Sequence, residues 1–398
     1  MTAPIVVDGR PLRAAKRFVD GTHRARTPAA TVARWRKLMA PLGITRLANL
    51  TGLDSLGVPV WSAIRPNGRS LSTSQGKGFT DDAARASALM ESIETWHAEH
   101  VARPRRRASW RALRDRAATV DLRQLARARR GRLDLDAPHD WVEGWDLVAS
   151  APVWVPLEAV TLDTVFGARA PWFDVSSNGL ASGNHLLEAI VHGLCEVIER
   201  DAEAGWRAAR GDVRVDLATV QDPGSRAILA RLADAGVHAT VWDLGSDLGV
   251  PAYGAAILED PAEPAWRALG MYQGFGCHLD PEIAVGRALC EAVQTRVTYV
   301  AGSRDDFFPF DYDRATDPEV LAPIWDELHA PAAAVVDLRD APRLATATFE
   351  DDLRLLVGRA VAGGATRVVV VDLSRPEHGV PVVKVIVPGR ATRVELMG

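Results

Sequence analysis

The sequence predicts an α+β fold in which mixed or antiparallel sheets, built from repeated strand pairs, pack with three long helices. Two internal repeats predict this fold. A strand–loop–strand unit occurs three times, and a glycine-rich loop that opens an amphipathic helix also occurs three times. No Gly/Ser-rich linker divides the 398 residues. We therefore expect one domain over residues 21–390, a lead-in over residues 1–20 and a short tail over residues 391–398.

The strand pairs begin near Ile44, His238 and Thr366. Each has a β-branched run, an Asn-Leu or Asp-Leu step, a polar loop, and a second apolar run that follows Gly-Val-Pro. Glycine suits the turn, and proline at the first residue of a strand loses no ladder hydrogen bond. Three hairpin-like pairs are the expected result.

The three long helices follow the glycine-rich segments SQGKGF, SNGLASGN and GFGCHLD. Short polar side chains that accept a hydrogen bond from the first turn favour helix starts. Thr80, Asn184 and Asp280 are the predicted N-caps, and Pro281 supports the third start because proline suits the first helical position.

An arginine-rich stretch lies between about Arg103 and Asp146. Its leucines and alanines recur at helical spacing, which predicts a helical insertion on the surface. An acidic peptide or RNA are possible ligands for such a stretch. A solvated face that binds nothing is the favoured interpretation.

The bulk composition excludes several classes of protein. A formal net charge of −4 and a pI near 6.2 give no general basic surface for nucleic acid. No apolar run reaches the length of a membrane span. The cysteines Cys195, Cys277 and Cys290 form no CxxC pair, which argues against a zinc site or a disulfide framework and fits a cytoplasmic protein.

Acidic side chains line one face of the first two helices. In the first helix Glu91 and Glu94 follow Ser87, and the second helix carries Glu188, His192, Glu196 and Glu199 at spacings of four, four and three. The third helix has Arg287, Glu291 and Gln294 in the corresponding pattern.

A single Glu-x-x-Glu pair is usually a solvated helix face. Here the acids lie beside apolar residues such as Met90 and Leu194, which predicts burial, where an unpaired carboxylate is very costly. Carboxylate oxygens are the ligands that Mg²⁺ prefers, and bound Mg²⁺ commonly bridges to phosphate. The acids therefore predict a magnesium–nucleotide site.

Phosphate also needs donors. Three helix N-termini supply backbone N–H groups, and Lys77, Asn184 and Arg200 can add side-chain contacts. Cys195 is interpreted as a small buried thiol, and among the histidines only His192 shares the acidic face.

Three motifs resemble the YcaO superfamily, over roughly Gly21 to Gly389. They are Ser87-x3-Glu91-x2-Glu94, then SGNxxxEA from Ser182 leading into GLCEVIER up to Arg200, and RALCEAVQTR from Arg287 to Arg296. The first family motif often ends in Glu-Arg, whereas Thr95 follows Glu94 here. That difference leaves the implied metal site unchanged but removes an arginine contact from this helix.

The resemblance implies ATP and Mg²⁺ between these helices. It implies metal ligands at Glu91, Glu94, Glu196 and Glu199. It implies ATP-binding residues at Arg24, Lys77, Ser87, Ser182, Asn184, Glu188, Arg200, Arg287 and Glu291, with Arg24 in the phosphate-contacting segment GTHR. It implies catalytic roles for Glu199, Arg200 and Gln294.

Enzymes of the family phosphorylate the oxygen of a peptide amide, and the attacking nucleophile then decides the product. The chain looks most like stand-alone members that act with a TfuA partner, and its tail lacks a PxPxP motif. The resemblance thus implies thioamide formation in a ribosomally made peptide or protein, with a homodimer by analogy. Azoline or amidine formation remains an alternative, as does a non-catalytic ATP-binding adaptor.

Overall fold

The structure is a computed structural model that describes residues 4–128, 133–165 and 172–390. The helices in these ranges are α1 (Pro28–Trp35), α2 (Asp81–Glu99), α3 (Trp110–Arg114), α4 (Leu186–Ala209), α5 (Pro223–Asp234), α6 (Pro281–Ala301), α7 (Pro309–Ala315), α8 (Pro318–His329) and α9 (Phe349–Ala362). None of the helices within these ranges combines the length and the apolarity needed to cross a bilayer. The predicted tail of residues 391–398 lies outside the described residues.

The strands in the same ranges form four sheets. They are β1 (Ile5–Val7), β2 (Arg10–Leu12), β3 (Arg46–Asn49), β4 (Val60–Ile64), β5 (Thr73–Lys77), β6 (Arg105–Ser109), β7 (Pro138–Asp146), β8 (Ala151–Pro156), β9 (Leu180–Ser182), β10 (Val213–Val215), β11 (Val237–Asp243), β12 (Ala252–Glu259), β13 (Tyr272–Cys277), β14 (Ala334–Val336), β15 (Val369–Asp372) and β16 (Val382–Ile386). The orders are β1-β2, β3-β4-β5, β13-β12-β11-β10-β14 and β6-β7-β15-β16-β9, with β8 beside β7. Every pairing is antiparallel except that of β10 with β14. The predicted α+β fold with mixed or antiparallel sheets is confirmed.

The three predicted strand pairs are antiparallel hairpins. They are β3 with β4, β11 with β12, and β15 with β16. The glycine of Gly-Val-Pro has a positive φ in each: 62° at Gly57, 61° at Gly249 and 67° at Gly379. This left-handed conformation favours glycine, so the repeated glycine has a backbone reason.

The long helices α2, α4 and α6 begin after the predicted glycine-rich loops, and two of the three predicted N-caps are observed. Thr80 accepts a hydrogen bond from the N–H of Ala83, and Asp280 accepts one from Glu282. The prediction of Asn184 as the N-cap of α4 is wrong, because His185 is the cap and its ring nitrogen accepts the N–H of Leu187. The side chain of Asn184 instead bonds to α1, as described below.

The helical interpretation of the arginine-rich stretch is also wrong. The stretch opens with the edge strand β6, continues through the five-residue helix α3, and ends in β7, to which β6 is paired. Its leucines, at helical spacing in the sequence, reach the core from short separate segments, and Leu113, Leu122 and Leu125 are buried there. Apolar spacing alone did not distinguish these segments from one helix.

The six-stranded sheet lies between two apolar cores. Val383 and Val385 of β16 pack in the core that contains α4 and α9, whereas Val382 packs with Leu89 and Ile93 of α2 on the opposite face. This alternation is the period of two that a strand imposes. A third core joins α5 and α6 to the five-stranded sheet.

Glycines in the strands allow α2 and α6 to lie unusually close to the strands that precede them. A Cβ atom at Gly76 in β5 would lie 2.1 Å from the carbonyl oxygen of Ala84 and from the N of Ala88 in α2. A Cβ at Gly276 in β13 would lie 2.1 Å from the carbonyl oxygen of Ala284 in α6. Both strand–helix pairs therefore require glycine in the strand.

We predict that Gly76→Ala destabilises the fold by about 3 kcal/mol or more, because the new methyl group meets helix backbone that cannot yield locally. Thermal or urea unfolding measures the loss. Gly52→Ala is the matched control, since a Cβ there has no heavy atom within 4 Å. Equal stability of the two variants would contradict the close packing of α2 on β5.

Candidate active site

One cavity of about 800 Å³ lies between α2, α4 and α6. The structure places every predicted site residue in its lining: Arg24, Lys77, Ser87, Glu91, Glu94, Ser182, Asn184, Glu188, Glu196, Glu199, Arg200, Arg287, Glu291 and Gln294. These residues come from sequence positions more than 250 residues apart, so the fold itself assembles the set. Their individual roles remain predictions.

Two glutamates of α2 face the cavity, and neither has an ion-pair partner among the residues that the structure describes. Glu91 accepts the N–H of Gln75 at 3.2 Å, and burial raises the pKa of its carboxyl to about 6. Burial, together with the charges of Glu91 and Glu196, raises the pKa of Glu94 well above its usual range. The energetic cost of ionising these groups falls when a cation lies between them.

The acids of α4 continue the cluster. Burial raises the pKa of Glu196 to about 7 despite the opposing charge of Arg200. Glu199 is 2% exposed, and its Oε2 accepts the N–H of Cys277 at 2.8 Å. Burial also raises the pKa of Glu199. The contact with Cys277 links α4 to the end of β13 and orients this carboxylate.

Arg200 connects α4 with α6. Its guanidinium lies 2.9 Å from Glu203, 3.5 Å from Glu199 and 3.7 Å from Glu291. Glu203, one turn further along α4, also binds Arg207 at 3.0 Å. Glu203 therefore holds the guanidinium of Arg200 beside two carboxylates of the cavity lining, those of Glu199 and Glu291.

Lys77 and Glu291 form an ion pair in the lining, at 2.6 Å. Burial alone would raise the pKa of Glu291, but the charges of Lys77, Arg200 and Arg287 lower it to about 2. The pKa of Glu291 is thus shifted in the opposite direction to those of Glu91, Glu94, Glu196 and Glu199. The β5 strand and α6 are joined at the cavity wall by this pair.

The N-terminal segment forms another part of the cavity lining. The N–H of Ala25 donates to Glu188 at 3.0 Å, and the guanidinium of Arg24 lies 4.0 Å from the same carboxylate. Asn184 accepts from the indole N–H of Trp35 and donates to Thr31, both in α1. These contacts fix the start of α4 against segments that lie far from it in sequence.

The donor set fits a phosphate-bearing ligand with a metal ion. The buried Nε of Arg287 has no hydrogen-bond partner within the part of the chain that the structure describes, and it can donate to a phosphate oxygen. In the same ranges, no three His, Cys, Asp or Glu side chains meet closely enough to hold an ion unaided. Mg²⁺ commonly takes one or two carboxylates and completes its shell with water and phosphate, so the acids of α2 and α4 suit an ion that arrives with a nucleotide.

Sequence reasoning missed the residues that support the site. Thr31 and Trp35 hold Asn184, and Glu203 holds Arg200. Glu203 extends the acidic face of α4 by one more turn, so helical spacing alone could have indicated it. No pattern in the sequence pointed to Thr31 or Trp35.

The fold and this cavity define a class of proteins that bind nucleotide and magnesium between long helices, and comparison with known proteins identifies the family. The family described as YcaO cyclodehydratase, ATP- and Mg²⁺-binding, matches residues 75–391. The chain belongs to the YcaO family. The family description names ATP and Mg²⁺, so the prediction that these are the cofactors is confirmed.

Two curated relatives match most of the chain. An uncharacterized protein in the tfuA 3′ region of Rhizobium leguminosarum bv. trifolii is 38% identical, over 93% of this chain and 89% of its own length. An uncharacterized protein of Methanothermobacter thermautotrophicus is 36% identical, over 91% of this chain and 93% of its own length.

A solved structure shows the same fold in full. YcaO from Methanopyrus kandleri, bound with AMPPCP and Mg²⁺, has a TM-score of 0.74 at 26% identity over 95% of both chains. A heterocyclase in complex with substrate and cofactor has a TM-score of 0.82 at 26% identity. The heterocyclase match covers 96% of this chain, which spans about half (54%) of the heterocyclase.

We predict that Glu196→Gln stabilises the ligand-free protein at pH 8 by about 1–2 kcal/mol. The folded pKa of Glu196, about 7, lies above the ordinary value of 4.5, so the ionised form costs stability above pH 7. That cost disappears as the pH falls towards 4.5. The side chain of Glu196 is only partly buried, so solvent in the cavity lowers the energetic cost of its charge.

Thermal unfolding between pH 5 and pH 8, compared with the wild type at each pH, measures this gain. Glu327→Gln is the matched control, because Glu327 is an exposed acid of α8. A gain of the same size at pH 5 and pH 8, or a loss at pH 8, would contradict the raised pKa of Glu196.

Proposed function

We propose that the protein activates a peptide-backbone amide by ATP-dependent phosphorylation of the amide oxygen, most directly for thioamide formation with a TfuA-like partner. The single observation that carries the proposal is the cavity itself. Four carboxylates of α2 and α4 and four cationic side chains all face one space, in a chain of the YcaO family. An amide oxygen leaves poorly, and phosphorylation makes it a leaving group.

The residues divide into two groups by charge. Glu91, Glu94, Glu196 and Glu199 are the proposed Mg²⁺ ligands, because each has a raised pKa and a cation would relieve the repulsion among them. Magnesium neutralises charge on the transferred phosphoryl group when it is bound. The cationic side chains of Arg24, Lys77, Arg200 and Arg287 are the proposed contacts to phosphate oxygens.

The remaining predicted residues have positioning or catalytic roles in the proposal. Glu188 orients Arg24, and Glu291 orients Lys77 and Arg200, through the ion pairs described above. Ser87, Ser182 and Asn184 offer polar groups to the nucleotide from α2, β9 and the start of α4. Glu199, Arg200 and Gln294 all line the cavity and are the proposed catalytic residues.

Sulfur as the nucleophile is supported by the relative in the tfuA 3′ region, which matches nearly the whole chain. A TfuA-like partner would deliver the sulfur. The reaction then replaces the amide oxygen by sulfur, and the oxygen departs as phosphate.

Azoline formation is the second candidate. The heterocyclase with bound substrate and the cyclodehydratase description of the family favour it. In that reaction a neighbouring Cys, Ser or Thr side chain attacks the activated amide, and the peptide loses one water. Amidine formation by an amine is a further alternative within the same chemistry. Mass spectrometry separates these products.

A non-catalytic adaptor would bind ATP without turnover. The complete set of carboxylates argues against it, because a scaffold has little use for four clustered acids whose ionisation destabilises the ligand-free fold. A homodimer and a cytoplasmic location remain predictions, as does the absence of a nucleic-acid partner.

We predict that Glu199→Gln lowers product formation at least about a hundredfold, because a ligand to the metal and an orienting carboxylate are lost together. Peptides from cells that carry the wild-type chain are compared by mass spectrometry with those from cells that carry Glu199→Gln. A sulfur-for-oxygen exchange present only with the wild type supports thioamidation, and loss of one water supports azoline formation. Glu327→Gln serves as the active control, and equal modification by Glu199→Gln would support the adaptor.

A further inference from the structure

The ring of Phe79 lies between glycines from three separate segments. A Cβ atom built on Gly21, Gly224 or Gly286 would lie 2.6, 2.5 and 2.5 Å from the nearest ring carbon. Distances below 3.0 Å do not occur for real Cβ atoms without a shift of the neighbour. The ring therefore occupies a slot that only glycine on each of the three sides leaves open.

The three glycines belong to different parts of the fold. Gly21 lies in the N-terminal segment, Gly224 in the first turn of α5 and Gly286 in α6. Phe79 itself lies between β5 and the N-cap Thr80 of α2. Because the ring is enclosed on three sides, it cannot rotate away from one glycine without meeting another.

Gly21 is the tip of a small hairpin that carries Arg24. Phe18 and Arg24 form an antiparallel bridge, in which the N–H of Arg24 donates to Phe18 at 2.8 Å and the N–H of Phe18 donates back at 3.0 Å. The φ of Gly21 is 63°, as a tight tip requires. The ring contact is thus at the end of the hairpin, three residues from the guanidinium that faces Glu188.

The hairpin covers one end of the cavity. Phe18, Gly21, Arg24 and Phe79 all contribute to the lining. The backbone beyond the hairpin is held to α4 by the N–H of Ala25. At the tip, Gly21 contacts the ring of Phe79, whereas His23, beside Arg24, contacts the ring of His278 and the ammonium of Lys16. Removal of the Phe79 ring therefore loosens the tip while the contacts of His23 and Ala25 remain.

We propose that Phe79 is a positioning residue that acts through Arg24: its ring holds the tip of the 18–24 hairpin in the three-glycine slot and so keeps Arg24 against the bound nucleotide. The inference rests on the nucleotide site of the proposed function. It assigns to Phe79 no contact with the reacting atoms. Leucine at position 79 fills the slot incompletely and leaves the tip free to move.

The central test is a double-mutant cycle with AMPPCP and Mg²⁺ as the probe, measured by calorimetry on the full chain. We expect Phe79→Leu to weaken AMPPCP binding about tenfold, since a mobile Arg24 loses part of its contact with phosphate. Arg24→Ala weakens binding as well. The double variant should bind no more weakly than Arg24→Ala alone, because Phe79 acts through Arg24.

Additive losses in the double variant would overturn the proposal, because they would mean that Phe79 acts on the nucleotide independently of Arg24. Unchanged binding by Phe79→Leu would overturn it as well, while leaving the nucleotide site intact. A wild-type protein that binds no AMPPCP would overturn both the nucleotide site and this inference. Thermal unfolding of each variant shows whether the fold is retained.

Two further measurements do not depend on affinity. Trypsin should cleave Phe79→Leu faster than the wild type at Arg17 and Arg24, because the freed hairpin becomes accessible. Gly286→Ala should destabilise the wild type but be tolerated in Phe79→Ala, where the new methyl enters the emptied slot. Equal destabilisation of both backgrounds by Gly286→Ala, or equal cleavage of both proteins, would contradict the ring contact.

Discussion

Burial of like charges around one cavity is the constraint on which the rest of the structure depends. Glu91, Glu94 and Glu196 have raised pKa values, since burial and mutual repulsion disfavour their ionised forms. Glu291 differs because Lys77 and its neighbouring arginines hold it ionised. The ligand-free site is therefore electrostatically incomplete on the side of α2 and α4, and a divalent cation supplies the missing charge there. The clustered acids thus lower the stability of the ligand-free fold but favour binding of a cation, a trade-off that is common at functional sites.

The second requirement is geometric. The acids reach a common space only because α2 and α6 lie directly on β5 and β13, with glycines such as Gly76 and Gly276 in the strands and alanines in the helices. Two segments of the chain share one arrangement, in which three antiparallel strands are followed by a helix. They are β3-β4-β5-α2 and β11-β12-β13-α6. The cavity lies where the two helices face α4. The internal repeat in the sequence is thus the structural basis of the site.

Much of this arrangement could be predicted from the sequence because it depends on local patterns. Gly-Val-Pro turns, caps such as Thr80, and acids at helical spacing each have a physical meaning within a few residues. Contacts between distant segments have no such pattern. Asn184 was predicted as a helix cap, but its side chain bonds to α1. The stretch after Arg103 contains β6 and β7, which pair with each other, and the spacing of its apolar residues does not show this pairing. The slot for Phe79 is formed by glycines from three segments, and none of these glycines alone indicates the slot in the sequence.

The position of the metal tests the central claim most directly. Crystals of the full chain with AMPPCP and Mn²⁺, an ion that takes the same oxygen ligands and scatters anomalously, would locate it. The account predicts anomalous density between α2 and α4, with carboxylate oxygens from among Glu91, Glu94, Glu196 and Glu199 and with phosphate oxygens as ligands. Density held by other side chains, or AMPPCP bound outside this cavity, would contradict it.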